Sequence, residues 1–168
     1  MTMTEGGRQP DARDDDGRIF LVVVDTTEEM RNALRFAGRR AQHTGGRVAL
    51  LFVIEPADFQ HWMAVEEKMR EERREEAERV LQDHAAEINA LTGTRPVLYV
   101  REGTPGEEIP KLIDEEPGIA VLVLGAGTDK KGPGPLVSSI AGSMSGIFPI
   151  PITVVPGNLT DDQIDALT

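Results

Sequence analysis

The chain has 168 residues, with 18 lysines and arginines against 29 aspartates and glutamates, a formal net charge of −11 and no cysteine. Its length predicts one domain with a core of its own, while its negative charge argues against nucleic acid or an anionic membrane as a partner. The lack of cysteine excludes disulfides and thiolate sites, and a polar start without an apolar leader segment adds to the expectation of a cytoplasmic protein.

The first residues and the first strand differ sharply in apolar content. Residues 1–17 are polar and acidic, and they predict a disordered N-terminal tail because they cannot bury enough apolar surface to fold. The folded domain is expected at residues 18–156. Ile19 to Val24 is an unbroken apolar run, typical of a strand covered on both faces of a parallel sheet. Thr26 and Glu29 have the spacing of a capping box, which predicts that a helix follows.

The middle of the chain predicts a second strand, a long helix and a third strand. Val48 to Ile54 is the second buried strand, and apolar residues at helical spacing run from Asp58 to about Leu91. Acidic and basic residues interleave between Glu66 and Arg79, which we interpret as a solvated helix face rather than a binding surface. Val97 to Val100 is a short third strand, and Pro96 before it suits the edge of a sheet.

Helices and strands continue to alternate in the last third of the chain. Thr104-Pro105-x-Glu107 is a second capping box with proline at the first helical position, although Pro110 predicts that this helix kinks or starts later. Val121 to Leu124 is a fourth strand that breaks into a glycine-rich loop. A helix is expected near Leu136 to Ser145, before the final strand, Ile150 to Val155.

Residues 157–168 form a C-terminal extension after the last strand. Thr160 is a candidate cap for a short helix with acidic residues in its first turn. We expect this segment to be a docked or frayed tail rather than a recognition element.

These elements predict an α/β fold: a single-domain, doubly wound, parallel five-stranded sheet with helices on both faces. Ligands of such sheets bind beyond the carboxyl ends of the strands, at the point where the strand order reverses. Asp25 and Gly125 both follow strands at that end. If the first and fourth strands are neighbours, one crevice holds a carboxylate for a hydroxyl or amine and backbone N–H groups for a phosphate.

The order of these residues resembles the universal stress protein family over Arg18 to Pro156. The resemblance is carried by Asp25 after the first strand, Val53 in the second, Gly125 after the fourth, Ser138-Ser139, and the final Pro-Ile-Thr-Val-Val-Pro. Nucleotide-binding members of this family carry a G-x-x-G-x9-G-S/T motif that holds the phosphates and ribose of ATP. This chain reads Gly125-Ala126-Gly127-Thr128 and, nine residues later, Ser138-Ser139, so Thr128 and Ser138 replace two motif glycines.

The resemblance implies an adenine nucleotide, ATP with or without Mg²⁺, as the cofactor. Asp25 and Val53 would meet the adenine, Val53 through its backbone, although Asp25-Thr26-Thr27 stands where the family usually has Asp-Gly-Ser. The implied cofactor-binding residues are Asp25, Thr26, Val53, Gly125, Gly127, Thr128, Ser138, Ser139 and Ile140.

The function implied is that of a homodimeric stress-response or signalling protein. The apolar Ile150 to Val155 strand, at a sheet edge, would pair with a copy of itself. The alternative is a nucleotide-independent scaffold that contacts an unknown protein through the Trp62 region or the long helix. No metal spacing, nucleophile elbow or GxxxxGK[ST] phosphate loop occurs, so we assign no catalytic residue. The family resemblance allows at most slow ATP hydrolysis or autophosphorylation.

Overall fold

The computed structural model describes residues 17–56 and 63–168. Residues 1–16 of the expected tail at residues 1–17, and the expected helical start at residues 58–62, lie outside this part of the chain. The elements are β1 (Ile19–Val23), α1 (Met30–Thr44), β2 (Arg47–Ile54), α2 (Met63–Thr92), β3 (Val97–Glu102), α3 (Pro105–Glu115), β4 (Ile119–Ala126), a π-helix (Val137–Ser143), β5 (Ile152–Pro156) and α4 (Asp161–Leu167).

The five strands form one parallel sheet in the order β3-β2-β1-β4-β5, which confirms the predicted fold class. β1 lies at the centre, where Val22 pairs with Leu50 of β2 on one side and with Val123 of β4 on the other. The strand order therefore reverses between β1 and β4, and the two strands are neighbours as the shared crevice requires. β3 and β5 lie at the two edges of the sheet.

Two apolar layers cover the two faces of the sheet, which explains why the strands read as continuous apolar runs. On one face, α1 and α2 pack against β1, β2 and β4 through residues that include Ala33, Leu34, Leu81, Ile88 and Val22. On the other face, α3 and the π-helix pack through residues that include Ile109, Leu112, Ile140, Leu21 and Leu122. Each layer holds its helices over the sheet and so fixes the loops that leave the strands.

The predicted capping box of α1 is wrong. The helix begins at Met30, and its cap residue, Glu29, makes no side-chain capping bond. The Asp25 carboxylate oxygen Oδ1 instead accepts hydrogen bonds from the backbone N–H of Thr27, at 2.8 Å, and from the Thr27 hydroxyl. Asp and Thr side chains compete with the helix for nearby backbone donors in this way. The turn therefore lengthens the connection from β1 and leaves Thr26 exposed.

The helix α3 begins at Pro105, where the proline at the first helical position predicted it. The Thr104 side chain does not cap it, so the second predicted capping box is also wrong. The backbone oxygen of Thr104 accepts instead from the N–H groups of Glu107 and Glu108, at 3.1 and 2.9 Å. Pro110 lies inside the helix without delaying its start.

The helix expected near Leu136 is a short π-helix. The Met144 N–H donates to the Ser139 oxygen, five residues earlier, at 3.0 Å, and the Ser143 hydroxyl donates to the same oxygen at 3.0 Å. This wider turn carries Ile140 fully into the core.

The C-terminal extension is docked as expected. Thr160 and Gln163 form a reciprocal capping box at the start of α4, and Ile164 is fully buried. Arg35 of α1 donates through Nε and Nη2 to the two carboxylate oxygens of Asp165, at 2.8 and 2.7 Å. None of the helices in residues 17–56 and 63–168 is long and apolar enough to cross a membrane.

Candidate functional site

A cleft of about 690 Å³ lies beyond the carboxyl ends of β1, β2 and β4. Both Asp25 and Gly125 line it, which confirms the expectation that they share one crevice. Further walls come from the segment that leads into the π-helix, Pro133 to Val137, and from one side of α2, Arg73 to Val80. This volume is within the range of small-ligand sites.

The interior of the cleft has a mainly apolar lining. Val24 and Met30 are buried, and the half-buried Phe52 and Val80 complete an apolar surface between β2 and α2. Such a surface suits a flat, weakly polar ring, because contact removes apolar area of both the ring and the protein from water.

Asp25 places a half-buried carboxylate at the end of β1. Its Oδ1 atom is held by the Thr27 N–H and hydroxyl, which fixes the orientation of the group. Its Oδ2 atom makes no hydrogen bond to any residue that the structure describes. This oxygen is therefore an acceptor that a ligand hydroxyl or amine can use.

The backbone of Val53 is open toward the cleft. In a parallel strand, successive residues direct their N–H and C=O groups to opposite neighbours. The Leu51 oxygen accepts from the Val24 N–H on the β1 side, at 2.8 Å, whereas the Ile54 oxygen accepts from the Gly103 N–H on the β3 side, at 2.9 Å. Val53, two residues after Leu51, therefore directs its groups to the β1 side, where β1 has already ended.

Gly125 is required where α1 meets β4. A Cβ atom at this position would overlap the backbone oxygen of Glu29, which leaves no room for any side chain. The glycine that the sequence suggested for a phosphate is thus also needed for helix packing.

The loop after Gly125 closes on itself. The Gly127 N–H donates to the Pro133 oxygen at 3.1 Å, and a Cβ at Gly127 would lie 2.9 Å from the Gly132 oxygen. Asp129 accepts from the Lys131 N–H through Oδ1, at 2.8 Å, and Gly132 takes a positive φ of 87°. The Gly127 donor is therefore already paired within the protein.

The structure brings together four of the nine expected site residues. Asp25, Thr26, Val53 and Gly125 line the cleft, whereas Gly127, Thr128, Ser138, Ser139 and Ile140 are not part of its lining. Thr128, Ser138 and Ser139 are exposed, and the Ser139 hydroxyl donates to the Leu136 oxygen at 3.3 Å. The fully buried Ile140 side chain packs in the core.

Comparison with known proteins decides the family. The sequence model described as the universal stress protein family matches residues 17–156. The chain belongs to the universal stress protein family. No curated protein matches it by sequence.

Solved structures with the same fold include other members of this family. UspA from Lactobacillus plantarum is 18% identical, with a TM-score of 0.67 over 83% of this chain and 98% of that one. A universal stress protein from Archaeoglobus fulgidus in complex with dAMP is 20% identical, with a TM-score of 0.53 over 82% and 96%. A family protein from Arabidopsis thaliana with AMP bound is 10% identical, with a TM-score of 0.56 over 83% and 91%. At these identities the likeness shows the fold.

Sequence reasoning missed the contribution of α2 to this universal stress protein's cleft. Arg73, Glu76, Ala77 and Val80 line one wall, and the Arg73 Nη1 atom donates to the Glu55 backbone oxygen at 3.2 Å. The interleaved charges predict a solvated helix face, and the structure differs from this prediction at Arg73 and Glu76. The i, i+4, i+7 spacing of Arg73, Ala77 and Val80 was the available signal, because it places them on the side of the helix that turns inward.

Acidic side chains outnumber basic ones around the cleft. Asp25, Glu29, Glu55 and Glu76 line it, and Arg73 is the one cation in the described lining. No group of three or more histidine, aspartate or glutamate residues that could hold a metal ion occurs in the described ranges. The cleft of this family member therefore combines an apolar interior with a negative local charge.

Proposed function

We propose that this universal stress protein binds an adenine nucleotide in the cleft at the carboxyl ends of β1 and β4. The observation that carries the proposal is the open backbone of Val53 beside the apolar surface of Phe52 and Val80. A backbone N–H and C=O in one strand match the alternating acceptors and donors on the edge of an adenine ring. The dAMP and AMP complexes named for two proteins of the same fold support this choice of ligand.

The ligand would lie with its base between β2 and α2. The adenine edge pairs with the Val53 backbone, and Oδ2 of Asp25 accepts from an amine or hydroxyl of the ligand. The rest of the nucleotide then extends along the cleft toward Gly125 and the loop at Pro133. ATP, with or without Mg²⁺, is the member of this class that the family motif implies, and AMP is the one that the fold comparison suggests.

Calorimetry of the purified protein with AMP and with ATP tests the proposal. We expect measurable heat of binding in the wild type and a loss of affinity of about tenfold in Asp25→Ala, because one charge-assisted hydrogen bond is removed. Asp83→Ala is the matched control, since Asp83 is exposed on α2 outside the cleft. No heat with either nucleotide at millimolar concentration would overturn nucleotide binding.

The functional unit that we propose is a cytoplasmic homodimer that acts in a stress response or in signalling. Its contact is the free edge of β5, one of the two edge strands, where Val154 remains 37% exposed. Light scattering measures the mass directly: Val154→Lys should give a monomer, and Leu167→Lys, at an exposed leucine on α4, should leave the dimer intact. A wild-type monomer, or an unchanged dimer in Val154→Lys, would overturn this contact.

A nucleotide-independent scaffold is the second candidate function. The observation in its favour is that the Gly127 N–H is paired with the Pro133 oxygen and that Thr128 and Ser138 lie outside the cleft. The scaffold predicts no heat with nucleotides and a stable protein that is indifferent to Asp25→Ala.

A further inference from the structure

Glu29 places a carboxylate at the end of the cleft that the 5′ side of a nucleotide would occupy. Three glycines surround it: its backbone oxygen packs on Gly125, its Oε1 lies 3.2 Å from where a Cβ of Gly127 would be, and its own Cβ lies 2.8 Å from where a Cβ of Gly157 would be. The carboxylate oxygen Oε1 of Glu29 therefore lies beside Gly127, while its backbone oxygen and Cβ fill the space beside Gly125 and Gly157.

The Glu29 carboxylate is half-buried, and neither of its oxygens makes a hydrogen bond to the described residues. Its charge is therefore not neutralised by any side chain in the part of the chain that the structure describes. It lies at the start of α1, where the helix dipole favours a negative charge. The partial positive charge at the N-terminus of α1 is thus already compensated in the absence of a ligand.

The backbone donors near this position are largely paired. The N–H groups of Arg31 and Asn32, in the first turn of α1, donate to the oxygens of Glu28 and Glu29, each at 3.2 Å. The Gly127 N–H donates to the Pro133 oxygen. A phosphate in this end of the cleft would find few donors to replace its water.

The nearby lysines do not offset the negative charge of the cleft lining. Lys130 and Lys131 are exposed in the closed loop and are not part of the cleft lining. The one cation of the described lining, Arg73, lies on the α2 wall and donates to the Glu55 backbone. Each phosphate added to the ligand therefore brings about one or two negative charges toward Glu29, and Arg73 is the single lining cation among the described residues that offsets them.

We infer that the cleft selects adenosine-type ligands with an uncharged or singly charged 5′ group, and that Glu29 is the residue that rejects polyphosphates. This inference rests on the proposed binding of an adenine nucleotide, and it states which adenine ligands the cleft prefers. Two like charges a few ångströms apart in a partly solvated cleft reduce affinity by about tenfold.

The experiment is calorimetry with adenosine, AMP, ADP and ATP, without Mg²⁺, on the wild type, Glu29→Gln and Asp83→Asn. In the wild type, affinity should fall by about threefold to tenfold with each added phosphate. Glu29→Gln should raise the affinity for ATP by about tenfold and leave that for adenosine within about twofold. Asp83→Asn changes the net charge equally but lies outside the cleft, so it should preserve the wild-type order.

The outcomes separate this inference from the function on which it rests. ATP binding as tightly as adenosine in the wild type overturns charge selection but leaves adenine binding intact. A weak ATP affinity that Glu29→Gln does not improve overturns the role of Glu29. No binding of any of the four ligands overturns the proposed function together with this inference.

A salt series on the wild type keeps the inference testable if Glu29→Gln does not fold. Salt screens the repulsion between like charges, so the affinity for ATP should rise toward that for adenosine as the ionic strength increases. An affinity for ATP that falls steeply with salt would mean that net attraction holds the phosphates, and it would overturn the inference.

Discussion

Gly125 at the end of β4 packs directly against the backbone carbonyl of Glu29, with no space for a side chain between them. This contact joins the start of α1 to the strand next to β1, and it fixes one wall of the cleft. The same glycine therefore serves both the packing of the fold and the shape of the site.

Gly125→Ala should destabilise the protein by about 1–3 kcal/mol, because the added methyl group overlaps backbone that cannot move without shifting α1. Urea unfolding followed by circular dichroism measures this change. Gly142→Ala is the matched control, since its added Cβ meets no atom within 4 Å beyond its chain neighbours and the backbone of its own helix. Equal stability of the two variants would contradict the packing role of Gly125.

Ile140→Ala should lower the free energy of unfolding by about 2–5 kcal/mol, since it leaves a cavity beneath the π-helix. Ser139→Ala, one residue earlier, should have little effect on stability because its hydroxyl is exposed. Both variants should keep their affinity for an adenine ligand within about threefold when folded. A selective loss of binding in Ser139→Ala would show that this hydroxyl reaches the ligand after all.

The ion pair between Arg35 and Asp165 should make the docking of α4 sensitive to acid. The hydrogen bond from Arg35 lowers the pKa of Asp165, and Arg39 adds to this effect. The contribution to stability is then present above the unfolded pKa of about 4 and is lost as the pH falls through the lower folded pKa.

Urea midpoints of the wild type and of Asp165→Asn should therefore differ at neutral pH and converge in acid. The difference should be modest, because the pair is partly exposed. Asp83→Asn, an exposed aspartate outside the pair, should track the wild type at every pH. A gap between the wild type and Asp165→Asn that stays constant from neutral pH into acid would contradict the linkage.

Tyr99 is the one tyrosine of the chain, so its ionisation can be followed by ultraviolet absorbance without interference from another phenol. Burial raises the pKa of Tyr99 above its ordinary value, and the charge of Glu116 adds to this. The native titration should therefore lie at higher pH than the titration in denaturant. Its contribution to stability is present below the unfolded pKa and is lost as the pH rises through the folded pKa. A native midpoint at or below the denatured one would contradict this prediction.

Sequence periodicity predicted the sheet well because buried parallel strands leave a strong local signal. The runs around Val22, Leu50 and Val123 are apolar on both faces, and Pro96 correctly marked an edge strand. The helix starts were harder to predict from the sequence. Asp25 accepts from Thr27 through its side chain, and Thr104 accepts at the start of α3 only through its backbone oxygen. The sequence pattern of a capping box does not distinguish these arrangements from a true cap. In the turn after β1, Asp25 holds Thr27 and so displaces the start of α1 to Met30.

The cleft was only half predictable from the sequence. Asp25 and Gly125 follow from the rule that ligands bind at the carboxyl ends of parallel strands, whereas Val53 is implied only by the family resemblance. The position of Arg73 in the cleft lining could not be predicted from the sequence, because it depends on where the long helix α2 crosses the sheet. The position of Glu29 beside Gly125, Gly127 and Gly157 depends on close contacts between segments that are distant in sequence.

Variants of Val53 distinguish recognition of the ligand by the protein backbone from recognition by the side chain. Val53→Ala keeps the N–H and C=O groups, so its affinity for adenosine should stay within about threefold of the wild type. Val53→Pro removes the N–H that points toward the end of β1, and we expect a loss of about tenfold because the ligand loses a buried hydrogen-bond donor. This N–H is not part of the ladder with β3, so the sheet can retain its pairing even though proline strains the strand.

Circular dichroism and the urea midpoint establish that Val53→Pro is folded before calorimetry is compared. A folded Val53→Pro with wild-type affinity would mean that the adenine edge does not meet this strand.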